Sequence, residues 1–310
     1  MYPVIVIVGP TASGKSDLAL AVAERFQGEL VNYDSVQVFR GFDIGSAKPS
    51  PTEQDRVRHH LIDIRGPVEL FTAGDYQREG RVVLNDIRNR GKLPVLVGGT
   101  GLYLRALTEG LFQGPTRSAY WRERMEDLAE RRGREYLHRL LQRLDPEAAN
   151  RIAARDKPKV IRALEVRLET GRALSEHLSA KPRHPLVGFR LGTVGLDPPR
   201  EECYRRIDDR VRLMFEKGLI EEVRGLLAAG VPKDAKPFTA LGYRHVLANL
   251  AGGEPWETTI AMIQRDTRRY AKRQLTWFRK QAGATWFSGT GETPNTQDAV
   301  LRWVEAFLSA

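Results

Sequence analysis

The sequence predicts an α/β fold, a parallel sheet flanked by helices, with a helical insertion. Three observations predict it. The apolar run Val4-Ile5-Val6-Ile7-Val8 leads through a glycine-containing loop into a segment with apolar residues at Leu18, Leu20, Val22 and Phe26. A second apolar run, Pro94-Val95-Leu96-Val97, also ends in glycines and is bordered by helical periodicity. Strands alternating with helices at this spacing build parallel sheets. From about Arg117 to Leu178 strand patterning stops, and Leu128, Tyr136, Leu137, Leu140, Leu141 and Leu144 recur at helical spacing among Arg and Glu.

The elements follow in order. The first loop is Gly9-Pro10-Thr11-Ala12-Ser13-Gly14-Lys15-Ser16. Strand, Gly-x4-Gly-Lys-Ser and helix together make a P-loop, so the sheet is P-loop NTPase-like. The glycines let backbone N–H groups turn inward, and the helix N-terminus adds its positive end. Lys15 reaches the outermost phosphates of a ligand, and the Ser16 hydroxyl suits Mg²⁺. A mere glycine turn is the plain alternative, but eight positions and both flanks favour phosphate.

Glu29-Leu30-Val31-Asn32-Tyr33 reads as a short strand delivering Asp34-Ser35-Val36-Gln37 to the ligand edge of the sheet. Phe42 to Pro51 reads as a loop, Leu61-Ile62-Asp63-Ile64 as a third strand, and Ala73 to Arg90 as a helix ended by Gly91. Thr100, in Gly98-Gly99-Thr100-Gly101, heads a helix from Leu102 to Leu107. A core of residues 1–116 and 183–310 is expected, interrupted by an insertion at 117–182. Pro182 to Pro185 is the expected link back, leading to a strand from Leu186 to Leu196. Helix is then expected to Ala229, with breaks at Gly218 and Gly230, and again from Thr239 to Lys280. Thr285-Trp286-Phe287 reads as a last strand, before a short amphipathic helix.

The 310 residues carry a formal charge of +10, which favours a polyanionic partner. Cys203 is the single cysteine, so neither an intrachain disulfide nor a cysteine zinc cluster can form. The first apolar run is too short to span a bilayer, and no basic region precedes it. A cytoplasmic protein without membrane association is the expectation.

P-loop hydrolases place an acidic residue at the end of an apolar strand. Val97 is followed by glycines instead, which leaves Asp34 as the nearby strand-end acid. Asp34 is either a Mg²⁺ anchor or a base acting on a second substrate; a simple loop cap is the plain alternative. In Arg265 to Lys280 the cations Arg265, Arg268, Arg269, Lys272, Arg273, Arg279 and Lys280 are interrupted by the single acid Asp266. That stripe is either a solvated face or a phosphate-backbone surface. Trp277 and Phe278 read as core, and His59-His60 as structural, because no partner stands at metal-ligand spacing.

An ordered set of motifs now resembles a known family. Beside the P-loop it comprises Asp34-Ser35-Val36-Gln37-Val38-Phe39, Asp43-Ile44-Gly45-Ser46-Ala47-Lys48-Pro49, His59-His60-Leu61-Ile62-Asp63 and Gly98-Gly99-Thr100-Gly101-Leu102-Tyr103. Arg162-Ala163-Leu164-Glu165-Val166, Leu241-Gly242-Tyr243-Arg244 and Lys272-Arg273-Gln274-Leu275-Thr276-Trp277 complete it. Over nearly the whole chain the set resembles the bacterial tRNA dimethylallyltransferases, also called tRNA isopentenyltransferases.

The resemblance implies transfer of a dimethylallyl group from dimethylallyl diphosphate to N6 of adenosine 37, in the anticodon stem-loop of tRNA. It implies that the P-loop holds a diphosphate leaving group with Mg²⁺, helped by Arg210, and that Thr11 lies where the diphosphate meets the allyl group. Asp34 becomes the base for the adenine amine, Thr100 a hydrogen-bonding partner of the extruded base, and Lys15 a stabiliser of the leaving group. The tRNA contacts implied are Asp34, Ser35, Val36, Gln37, Thr100, Arg122, Pro158, Lys159, Val160, Ile161 and Arg162, with Arg244, Lys272 and Arg273 from the basic C-terminal region. The insertion would grip the tRNA; a monomer is a separate expectation. Where the family usually has Asp-Pro-x-Arg, this chain has Asp156-Lys157-Pro158-Lys159, so a point charge replaces a planar fork. Phe39 stands where tyrosine is common.

A small-molecule kinase using ATP, or an isopentenyltransferase acting on free adenine nucleotides, would use the same loop; the basic surfaces argue against both. A nucleic-acid-binding protein with a vestigial P-loop is opposed by intact Lys15, Ser16, Asp34 and Thr100.

Overall fold

Alternating burial along one strand sets the layers. In the computed structural model of the chain, which describes residues 1–112, 114–180, 184–280 and 283–310, β1 (Tyr2–Val8) lies inside the sheet. Its residues Val4, Val6 and Val8 pack on one face with Tyr76, Leu84 and Leu104, while Ile5 and Ile7 pack on the other with Leu18, Val22 and Val300. A strand covered on both faces reads as a continuous apolar run, as this one does.

After β1 come α1 (Lys15–Arg25), β2 (Gly28–Asn32), α2 (Pro51–Arg56), β3 (His59–His60), α3 (Ala73–Asn89), β4 (Leu93–Val97) and α4 (Gly101–Thr108). Five helices follow without a strand among the described residues: α5 (Ala119–Arg132), α6 (Arg134–Leu144), α7 (Pro146–Arg151), α8 (Lys157–Thr170) and α9 (Leu174–Ala180). The chain then forms β5 (Phe189–Asp197), α10 (Arg200–Glu216), α11 (Leu219–Ala228), a 3₁₀ turn at Lys236–Thr239, α12 (Tyr243–Leu250), α13 (Trp256–Phe278), β6 (Ala284–Ser288) and α14 (Pro294–Ser309).

All strand pairings are parallel, in the order β3-β2-β4-β1-β5-β6. From β1 the chain moves towards β2; from β4 it crosses to β5 on the other side. The order therefore reverses between β4 and β1, and the loops leaving those strands border a crevice there.

The chain divides into two compact units, Met1–Thr108 with Leu186–Ala310, and Glu109–Pro185. The second is an all-helical body around Met125, Leu137, Leu141, Val160, Ile161 and Leu164. Its limits are wider than the expected 117–182, by residues 109–116 at one end and 183–185 at the other. Within the expected link at Pro182–Pro185, Pro182 and Arg183 lie outside the described residues.

Several expected elements are corrected. The third strand is His59–His60, not Leu61–Ile64. Leu61 and Asp63 have φ of 62° and 55°, in the left-handed region, which no strand tolerates. Helix α2, which the sequence reading did not assign, begins at Pro51, the last residue of the expected loop, where Ser50 as N-cap and Glu53 in the first turn form a capping box. Thr239 to Lys280 is not one helix, since Gly252, Gly253 and Pro255 separate α12 from α13. The fifth strand begins at Phe189 rather than Leu186. His60 Nε2 lies 2.6 Å from Glu29 and His59 Nδ1 lies 2.7 Å from the Val57 carbonyl, so each ring has a partner within the core unit.

Candidate active site

Because β2, β4 and β1 are neighbours in the sheet, the loops at their carboxyl ends are neighbours too. That order, invisible along the sequence, gathers Asp34, Gly98-Gly99-Thr100 and the P-loop.

The P-loop has the curled backbone of an anion nest: Ala12 has φ 63° and Gly14 φ 76°. A Cβ on Gly14 would stand 2.8 Å from the Gly291 nitrogen, so strain and space both require glycine there. Lys15 Nζ donates to the Pro10 carbonyl at 2.5 Å, folding the side chain over the loop. Burial, with Arg210 alongside, lowers the Lys15 pKa to about 7. Ser13 Oγ is buried and finds no partner among the described residues, whereas Ser16 is exposed on the cavity. Arg206, which the sequence reading missed, donates to the Ala12 carbonyl at 2.8 Å and pairs with Glu292. Its spacing of four from Arg210, one helical turn, is the signal that could have found it.

Asp34 is held by one oxygen. Oδ1 accepts from the Val36 and Gln37 amides at 2.8 and 3.4 Å, a loop cap of the kind the plain reading expected. Oδ2 makes no hydrogen bond among the described residues. Burial pushes the Asp34 pKa up, against those two amides and the positive charge of Lys15 and Arg210. Thr100 Oγ1 accepts from the Ser35 amide at 3.0 Å and lies 3.1 Å from the Ser35 hydroxyl, so Thr100 ties its loop to the one carrying Asp34. Gln37 reaches the carbonyls of Ser46 and Ala47 at 3.1 Å and holds the next loop closed.

Two cavities meet at this point. One, of about 710 Å³, is lined by Thr11 to Asp17, Asp34, Gln37, Arg206 and Arg210. The other, of about 310 Å³, is lined by Ser35, Val36, Thr100, Leu241 and Arg244, with apolar walls from Ile207, Val211, Met214 and Ile263. Thr11, Asp34 and Arg210 border both. Arg210 makes no hydrogen bond to the described residues, and burial lowers its pKa.

The basic helix α13 departs from the expected stripe. Arg268 donates to both oxygens of Asp208, at 2.6 and 2.7 Å, and so turns towards α10. Arg244, Arg265 and Arg269 gather on Asp266. Lys272 and Arg273 stay exposed, beside Lys280. Phe278 is core, but Trp277 is not: it is 38% exposed, although its ring lies close against Gly101.

In the helical unit Arg122 and Arg162 converge on the buried carboxylate of Glu165, at 3.1 and 2.9 Å. Glu165 also accepts from the Ser118 amide. Burial would raise the Glu165 pKa, but Arg162, Ser118 and Arg122 outweigh it and the value is lowered. Pro158 opens α8 and Lys159 pairs with Asp156 on its exposed first turn. The side chains of Val160 and Ile161 belong to the unit's core, each 1% exposed.

No metal-binding group of three or more His, Cys, Asp or Glu occurs among the described residues, and no described helix is long and apolar enough to cross a membrane.

Known proteins resemble this chain in sequence and in fold. Residues 37–281 match the family model described as IPP transferase. A tRNA dimethylallyltransferase of Solibacter usitatus is 49% identical over 306 residues, 99% of each chain. One from Geobacter metallireducens is 46% identical over 303 residues, covering 98% of this chain and 96% of the other. Among solved structures, the tRNA isopentenylpyrophosphate transferase of Bacillus halodurans superposes with a TM-score of 0.72 at 38% identity, over 100% of this chain and 96% of that one. A eukaryotic dimethylallyltransferase, described as acting on tRNA, gives 0.82 at 26% identity, over 100% and 80%.

Proposed function

The chain belongs to the IPP transferase family and is a transferase that prenylates tRNA, and we propose the finer reaction from that premise. A dimethylallyl group passes from dimethylallyl diphosphate to N6 of adenosine 37, and diphosphate is released. One observation carries the reading: Thr11, Asp34 and Arg210 stand where the P-loop cavity meets the second, partly apolar one. A donor with its diphosphate on the P-loop and a base entering from the other side would meet there.

An adenine amine is a poor nucleophile because its lone pair is delocalised into the ring. As N6 bonds to the allylic carbon, that carbon's bond to the diphosphate oxygen breaks and the electron pair leaves with the diphosphate. Asp34 Oδ2, the oxygen left free by the loop amides, takes the N6 proton. Lys15, the N–H groups of the nest and Arg210 meet the charge developing on the leaving group in a site set back from water. Thr100 orders the Ser35 backbone against which the base rests. The target nucleotide must leave its stack to enter, at about a few kcal/mol.

The residues fit Mg²⁺ carried in with the diphosphate: Ser16 offers a single hard oxygen on the cavity, and the remaining ligands would be phosphate oxygens and water. Bound there, the ion would neutralise charge on the leaving diphosphate. In the helical unit Lys159, the exposed cation of α8, supplies with half-buried Lys157 a surface for the anticodon stem-loop, and Lys272, Arg273 and Lys280 supply another in the core. The reading takes a monomer as the working unit, in the cytoplasm where tRNA is.

Incubating the protein with unmodified tRNA and dimethylallyl diphosphate tests the reading by mass spectrometry. An isopentenyl mass gain confined to the nucleoside beside the anticodon is expected. Gain on free AMP but not on tRNA, or consumption of ATP during turnover, would overturn it.

A further inference from the structure

Gln274 lies on α13 amid cations that face solvent, yet it is only 5% exposed. A glutamine leaves water without penalty only where both ends of its amide find partners. Here Oε1 accepts from the Thr11 amide at 2.8 Å, and Nε2 donates to the Gly99 carbonyl at 2.9 Å. One turn earlier the Tyr270 hydroxyl donates to the same carbonyl at 3.2 Å, so both lone pairs of Gly99 are used from one helix. Glycine at 99 makes this possible: a Cβ there would stand 2.9 Å from Gln274 Nε2 and 3.1 Å from Asp34 Oδ2. The free oxygen of Asp34 and the Gln274 amide thus border the same point.

We propose that Gln274 is a positioning residue that clasps the diphosphate loop to the loop carrying Gly99 and Thr100, and so fixes where the reacting carbon stands relative to Asp34. The inference rests on the reaction proposed above. Its local consequence is that the Thr11 N–H is engaged by Gln274 and not by a phosphate oxygen, which leaves diphosphate binding to the later part of the nest. Loss of the clasp should therefore damage alignment much more than binding. A displacement of about 1 Å in a reacting geometry lowers a rate by roughly 10²-fold.

Single-turnover and steady-state kinetics on the full chain test this. In Gln274→Ala, kcat should fall by about 10–100-fold, with KM for tRNA and for dimethylallyl diphosphate each within about threefold of wild type. Gln274→Glu keeps the size and the acceptor for Thr11; ionised, it cannot donate to Gly99, and it sets a like charge beside Asp34. Asp34 is otherwise faced by Lys15 from the P-loop, Arg210 from α10, Tyr33 after β2, Tyr103 from α4 and Tyr270 from α13. Against that background the added carboxylate should move the acid limb of the single-turnover pH profile to higher pH. A purely structural glutamine would lower the thermal midpoint without either effect. Wild-type kcat in folded Gln274→Ala, or a loss confined to KM, overturns the clasp. An unmoved acid limb in Gln274→Glu, which carries the test should the alanine variant fail to fold, overturns it as well. Failure of the underlying reaction is distinguishable, since then the wild-type protein would transfer nothing.

Discussion

Replacing Asp34 by asparagine separates its two roles, because the carboxylate is divided between them. Oδ1 caps the loop through the Val36 and Gln37 amides, and an asparagine oxygen can accept both bonds. Oδ2 is the proposed base, and the amide nitrogen that replaces it cannot take a proton. General-base catalysis contributes about 10²–10⁴-fold, which at 1.36 kcal/mol per decade is about 3–5 kcal/mol of barrier. The loss should fall on the chemical step, with little change in dimethylallyl diphosphate affinity. Stability should move the other way. Burial holds the folded pKa of Asp34 above the ordinary carboxylate value, so the native state binds more protons than the unfolded chain between the two values. Stability therefore falls as pH rises through that interval, and above it the ionised carboxylate is a standing cost. Asparagine removes that cost, so the thermal midpoint at pH 8 should rise while activity is lost. Rapid-quench single-turnover rates across a Mg²⁺ titration, beside calorimetric melting, read both. A variant restored to near wild-type rate by added metal would make Asp34 a Mg²⁺ anchor and refute the base argument; a lowered midpoint would refute the stability argument.

Lys15→Ala should abolish transfer and leave affinity for an anticodon stem-loop nearly unchanged in filter binding, since the P-loop is assigned to diphosphate; a large loss of RNA affinity in folded protein would contradict the assignment. The Lys15 pKa of about 7 implies a mostly neutral amine at pH 8 in the free protein, recharged when an anion arrives. Titration calorimetry of inorganic diphosphate in two buffers at pH 8 should show wild type taking up roughly one proton more than Lys15→Ala. The same lowered value means that Lys15's contribution makes the free protein more stable as pH rises from about 7 towards the ordinary lysine range. In the helical unit, Glu165→Ala would leave the half-buried Arg122 and Arg162 without their shared carboxylate, at a cost of about 3–5 kcal/mol in denaturant unfolding. Because the folded pKa of Glu165 is lowered, the stability it contributes is complete above the ordinary glutamate value and is lost as pH falls through the folded one. An unfolding midpoint unchanged by the mutation would contradict that role.

The strands and the phosphate loop were legible in the sequence because each rests on local physics. A five-residue apolar run can only be a strand or a buried helix segment, and the glycines at 9 and 14 decide it by permitting the backbone that a nest needs. Family motifs added the reaction, since an ordered set of short segments is specific where one P-loop is not. Local pattern failed where the deciding interaction is distant. Leu61 to Ile64 looks like a strand, but the chain turns there to send the Leu61 carbonyl to Asn32 and Asp63 to Lys48. Trp277 is apolar enough for a core, yet whether a face is covered depends on a neighbour some 170 residues away. Arg268 belongs by spacing to a basic stripe, but Asp208 on another helix claims it. Gln274 is the clearest case. Helical spacing from Ala271 and Phe278 puts Gln274 on the buried face of its helix, but it does not say what the amide meets there, and its partners, Thr11 and Gly99, are 263 and 175 residues distant. Only the sheet order β2-β4-β1, with α13 laid across the ends of those strands, brings them within hydrogen-bonding reach, and the backbone groups it joins carry no side-chain signature a sequence could display.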